Sequence, residues 1–102
     1  MKKEKLWTDE EHSAAIEAYL RMLHFEKENI PYSKANIRRD LLSGPLQNRS
    51  KGSIEFRMQN ISAVLNNQGK TWIPGYKPAK NVGRIVERKI ADIILKIEGK
   101  GK

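Results

Sequence analysis

Apolar residues recur at the spacing of an α-helix in four segments of this chain, and residues that break helices separate the segments. Pro31, Gly44-Pro45 and Gly69 end the first three segments. We therefore expect an all-α fold: a three-helix unit of the helix-turn-helix kind, followed by a C-terminal fourth helix. The predicted helices of this single domain, residues 1–102, cover about 9–28, 34–43, 53–68 and 82–98.

The start of the first helix is the most strongly marked. Thr8 and Glu11 have the spacing of a capping box, in which each side chain accepts a hydrogen bond from the other's backbone N–H. Trp7, just before the cap, is expected to pack on His12 or below the helix start. The expected caps of the later helices are Ser33, then Ser50 or Ser53, then Asn81.

Residues 70–80 contain two prolines, which exclude regular structure, and yet they are apolar. Trp72, Ile73 and Tyr76 predict a loop that lies ordered against the helices. Trp72 and Tyr76 favour a place in the core, and stacking on an unpaired base is the alternative.

The charge of the chain is +8 and unevenly distributed. Residues 1–33 hold five Lys and Arg against seven Asp and Glu, whereas residues 34–102 hold fifteen against five. Such a basic field attracts polyanions, of which nucleic acid is the commonest. A merely soluble basic protein would have the same composition.

Catalytic and metal-binding residues are not indicated. The chain has no cysteine, and His12 and His24 are predicted on one helix about 18 Å apart, too far to share a metal. Glycine-rich phosphate-binding motifs are absent, so we expect no enzyme, no cofactor and no metal. No apolar run approaches the ~20 residues that span a bilayer, and the first residues lack the apolar core of a signal peptide. A cytoplasmic location is expected, with no membrane partner.

A basic loop runs into the third predicted helix at residues 48–53 and supplies most of the candidate site. Arg49 and Lys51 are expected to contact phosphates at the helix N-terminus. Arg57 and Asn60, one turn apart, have the spacing for base-edge contacts, whereas a pairing of Arg57 with a carboxylate and burial of Asn60 is the alternative. The predicted DNA-binding residues are Arg49, Lys51, Ser53, Arg57, Gln59, Asn60, Lys77 and Lys80.

Two resemblances extend this interpretation. Trp-Thr-Asp-Glu-Glu at residues 7–11, two helices and then Asn-Arg-Ser-Lys at residues 48–51 resemble a Myb-type helix-turn-helix domain, although the second-helix tryptophan is missing. Over residues 7–95, the runs Arg-Ser-Lys-Gly-Ser-Ile-Glu-Phe and Asn-Ile-Ser-Ala-Val-Leu are similar to a small bacterial module that stands ahead of HNH-type nuclease and other restriction or defence domains. This second resemblance implies an accessory role beside a nuclease; no His-Asn-His set is present, so it implies no cleavage.

The sequence therefore predicts a DNA-binding accessory or specificity module of a restriction or defence system. RNA is not distinguished from DNA. The alternative is a protein-interaction module, in which the isoleucine-rich stripe at residues 82–97 forms a homodimer or docks on a nuclease partner.

Overall fold

The fold is all-α, as the sequence predicts, in a computed structural model that describes residues 6–100. The four helices are α1 (Asp9–Lys27), α2 (Lys34–Leu42), α3 (Lys51–Asn67) and α4 (Arg84–Lys100). Buried side chains from all four helices and from the α3–α4 connection, residues 68–83, form one hydrophobic core. The helix at the C-terminus is therefore part of the same packing unit as the other three.

The start of α1 has the predicted capping box. The Thr8 hydroxyl accepts a hydrogen bond from Glu11 N at 3.0 Å, and Glu11 Oε1 accepts one from Thr8 N at 2.8 Å. The ring of Trp7 lies 5.5 Å from the ring of His12, which is the expected contact across the cap. This contact between the residue before the cap and the fourth helical residue fixes how the chain enters α1.

Helix α3, like α1, packs against each of the three other helices. Its hydrophobic positions, including Ile54, Met58 and Ile61, are buried as predicted. From Asn60 to Leu65, however, every side chain is buried, whichever way it points. Only the first turns of α3 and its last few residues therefore reach the surface.

The connection between α3 and α4 is ordered against the helices, as predicted. Ile73 is 0% exposed and Tyr76 is 3% exposed, while Trp72 is half-buried against the core. The backbone N–H of Ile73 donates to the Tyr19 hydroxyl at 2.9 Å, and that hydroxyl lies 2.6 Å from Ser62 Oγ. Trp72 and Tyr76 therefore lie on the side of the connection that packs on the core.

Some helix boundaries differ from those predicted. Ser50 caps α3, so the helix begins at Lys51, two residues before the predicted start at about residue 53. Helix α4 begins at Arg84, after Gly83, whose φ of +88° is outside the helical region. Gly83 therefore occupies the cap position, with its backbone oxygen accepting from Glu87 N at 3.0 Å, and the prediction that Asn81 caps this helix is wrong. The end of α4 extends to Lys100, past the predicted residue 98.

Candidate nucleic-acid interface

Arg49 is held within the protein, in an ion pair with Glu11. Its Nε donates to Glu11 Oε2 at 3.0 Å and its Nη2 donates to Oε1 at 2.8 Å. The same Nη2 donates to the backbone oxygen of Leu6 at 3.0 Å. The Arg49 side chain is only 8% exposed, and its hydrogen bonds lower the pKa of Glu11. Arg49 thus joins the entrance of α3 to the start of α1.

Arg57 and Asn60 bind each other on the same side of α3. Arg57 Nη1 donates to Asn60 Oδ1 at 3.0 Å, and its guanidinium carbon lies 4.7 Å from the centroid of the Trp7 ring. Asn60 is 1% exposed, which agrees with the alternative of a buried amide. The partner of Arg57 is this amide and not a carboxylate.

His12 completes a buried polar cluster with these residues. It is 4% exposed, and neither ring nitrogen has a hydrogen-bond partner among the described residues. Arg57 Nε and Asn60 Nδ2 are also buried without a partner in that part of the chain. Burial, followed by the positive charges of Arg57 and Lys89, lowers the pKa of His12, so the ring is neutral near pH 7. The cluster belongs to the α1–α3 interface.

The remaining predicted site residues lie on α3, which holds Lys51, Ser53 and Gln59, and in the α3–α4 connection, which holds Lys77 and Lys80. Lys51, Lys77 and Lys80 are exposed. Ser53 is half-buried, and its backbone N–H donates to the cap hydroxyl of Ser50 at 3.1 Å. Gln59 is half-buried, and its backbone oxygen accepts from Ala79 N at 3.1 Å. The predicted site residues therefore form two groups. Arg49, Arg57 and Asn60 bind other parts of the protein, whereas Lys51, Lys77 and Lys80 are exposed.

Two cations of α2, which sequence reasoning did not include in the site, lie beside the α3–α4 connection. Lys34 Nζ lies 4.1 Å from the centroid of the Tyr76 ring and donates to Gly75 O at 3.3 Å. The charges of Glu55 and Arg38 act in opposite directions on the pKa of Tyr76, which burial raises to about 12. Arg38 and Glu55 therefore lie near the same hydroxyl. The only sequence signal for these cations is their place on the outward face of α2.

The connection carries the positive charge onward across α3. After the Ala79–Gln59 hydrogen bond, Lys80 and Arg84 line a recess of ≈ 440 Å³ with Asn66 and Asn67 of α3. Lys51 is one turn before Glu55 on α3, and Glu55, like Arg38, lies near the Tyr76 hydroxyl. We call this set of cations the basic strip: Lys34, Arg38, Lys51, Lys77, Lys80 and Arg84.

Within the described residues, none of the strip's six cations has a carboxylate within 4.0 Å. Glu55 lies near Tyr76, and Glu87 lines the same recess as Lys80 and Arg84, where it accepts from Asn67 Nδ2 at 3.3 Å. By contrast, Lys70 pairs with Glu98, and Lys89 pairs with Asp9. Within residues 6–100, carboxylates thus pair with Lys70 and Lys89 and leave the six cations of the strip without a counter-charge, as they also leave exposed cations outside the strip such as Arg21 and Lys96.

Comparison with known protein families, curated proteins and solved structures finds no match. Among residues 6–100, no group of three or more His, Asp or Glu side chains is arranged to hold a metal ion. None of the helices in the described part of the chain is long and apolar enough to cross a membrane.

Proposed function

We propose that this protein binds DNA through the basic strip. The observation that carries the proposal is a series of six cations along α2, the start of α3, the α3–α4 connection and the start of α4, none with a carboxylate partner among the described residues, in a protein of net charge +8. Phosphate groups are the expected ligands of such a surface, since each cation releases counterions when it contacts the backbone of DNA.

The basic strip and the site predicted from the sequence consist of partly different side chains. Lys51, Lys77 and Lys80 remain, and Lys34, Arg38 and Arg84 take the place of Arg49. Arg57 and Asn60, which were expected to contact base edges, bind each other near Trp7, whereas the predicted DNA-binding residue Gln59 lies beside the strip. We therefore propose an affinity that depends mainly on phosphate contacts and little on base sequence.

A salt titration of binding to a fluorescent oligonucleotide tests the proposal. If about five phosphates are contacted, log K falls against log salt with a slope of about −4 to −5. Replacing both Lys77 and Lys80 with alanine reduces that slope by about two. The matched control replaces Arg21 of α1 and Lys96 of α4, two exposed cations that are not part of the strip, and removes the same charge.

Three results separate the possibilities. A loss confined to the strip variant supports the proposal. An equal loss in both variants would show that net charge alone attracts DNA, and the strip would have no role. Absence of binding by the wild-type protein at low salt refutes the proposal outright.

A second candidate function is association through α4. Ile90, Ile93 and Ile94 of its apolar stripe are buried in the core, but Ile85 is 80% exposed and Leu95 is 70% exposed. A homodimer through these side chains, or docking on a nuclease partner, would cover them, in keeping with the resemblance to modules beside HNH-type nucleases. A mass by light scattering that rises with concentration, and does not rise after Ile85→Ser, would support self-association.

A further inference from the structure

Phe56 is the one exposed aromatic side chain in the described part of the chain. It is 52% exposed, whereas Tyr19 and Tyr76 are buried and the other aromatic side chains are partly covered. Aromatic side chains bury large apolar areas and dominate core and interface energetics, so an isolated exposed one calls for an explanation.

Phe56 lies at the edge of the basic strip. On α3, Gly52 is one turn before it and Gln59 one turn after it, so the three share one face of the helix. The α3–α4 connection reaches that face where Ala79 N donates to Gln59 O, with Lys77 and Lys80 on either side of this contact. The phenyl ring is thus presented between the connection and the open start of α3.

The packing of α3 limits how it can meet DNA. Every residue from Asn60 to Leu65 is buried, so apart from its last few residues the accessible part of the helix lies within Lys51–Gln59, about 13 Å long. A helix that reads the major groove presents a row of side chains to base edges. Here the row contains Glu55, which repels phosphate, together with Phe56 and Gln59. This surface suits stacking better than it suits base-edge hydrogen bonding.

We propose that Phe56 stacks on an unpaired base, and that the ligand of the basic strip is single-stranded DNA. This inference rests on the proposed function and narrows its ligand class. Proteins that bind single strands combine a cationic track for the phosphates with aromatic side chains on which bases stack. The cations of the strip form the track, and the half-exposed ring provides the stacking face.

The test compares a single strand of about 12 nucleotides, its DNA duplex and the RNA strand of the same sequence, by fluorescence anisotropy at one salt concentration. Wild-type protein is expected to bind the DNA single strand tightest. Phe56→Ala lowers that affinity about 5- to 100-fold and changes duplex affinity less than two-fold. Because phosphate contacts remain, the slope of log K against log salt is unchanged.

Two further variants identify stacking as the cause. Phe56→Leu keeps apolar area and removes the aromatic face, so it is expected to behave like Phe56→Ala. Phe56→Trp keeps the face, so it retains affinity, and its fluorescence is quenched when the single strand binds. Circular dichroism spectra of all variants should match that of the wild type, because the side chain is largely outside the core.

Other outcomes would refute the stacking inference, and they can be told apart from a failure of the DNA-binding proposal. Strip-dependent DNA binding that Phe56→Ala does not weaken would refute stacking alone. Equal losses of affinity for the duplex and the single strand would show that Phe56 inserts between base pairs or makes a contact common to both ligands. Tighter binding of the RNA strand would make RNA the ligand in place of DNA. If the wild-type protein binds no DNA, both proposals fail.

Discussion

Replacing Arg49 with alanine should destabilise the fold, because Arg49 holds a buried carboxylate. Its side chain is 8% exposed and that of Glu11 is 11% exposed. Two hydrogen bonds of 2.8 and 3.0 Å join the guanidinium to the carboxylate, and a third of 3.0 Å reaches Leu6 O. The variant would leave Glu11 ionised and without its counter-charge.

The expected loss is about 3 kcal/mol of unfolding free energy, the lower end of the range for breaking a buried ion pair. The lower end applies because Glu11 keeps its hydrogen bond from Thr8 N. With a urea slope of about 1.5 kcal/mol per molar, the unfolding midpoint falls by about 2 M. Lys51→Ala, at an exposed position two residues away, should change the unfolding free energy by less than about 0.5 kcal/mol.

Urea titration followed by circular dichroism at 222 nm measures both variants, and Glu11→Gln with the double variant completes a cycle. A coupling energy above about 1 kcal/mol is expected, since the two side chains are in contact. The reasoning would be refuted if Arg49→Ala kept the wild-type midpoint and lost DNA affinity. That result would make Arg49 the phosphate contact that its sequence position suggests.

Three further results follow from the packing. Between pH 7.5 and 5.5 the unfolding free energy should fall, because the folded pKa of His12 lies below its unfolded value of 6.5, so the unfolded chain binds more protons; the fall should vanish in urea titrations of His12→Phe. Tyr19→Phe should cost about 1–3 kcal/mol, since the hydroxyl partner of Ser62 and of a buried backbone N–H is lost; an unchanged midpoint would contradict the hydrogen bonds. Gly69→Ala should destabilise the fold by about 1 kcal/mol, because the φ of Gly69 is +72°. Gly52→Ala, with open space around the position, should be neutral or should stabilise the fold by up to about 0.5 kcal/mol. Thermal unfolding of the two variants should show shifts of opposite sign or of clearly unequal size.

Local signals were enough for the four helices and for the caps of the first three. The capping box of Thr8 and Glu11, the stop at Gly69 and the apolar spacing of α3 each act within one or two turns, so they can be recognised without knowing the fold. The start of α4 was placed two residues early because the positive φ of Gly83, which delays the helix, has no marker in the apolar spacing.

Only the tertiary structure decided which cations face solvent. Arg49 and Glu11 are 38 residues apart, so no local pattern indicates their ion pair. Arg57 and Asn60 have a base-reading spacing in the sequence, yet the packing of Trp7 places them in a buried cluster. The sequence by itself determined that the chain is a basic helical domain, since charge and periodicity are properties of the residues. Folding determined the position of the basic strip, because pairing and burial depend on which distant elements meet.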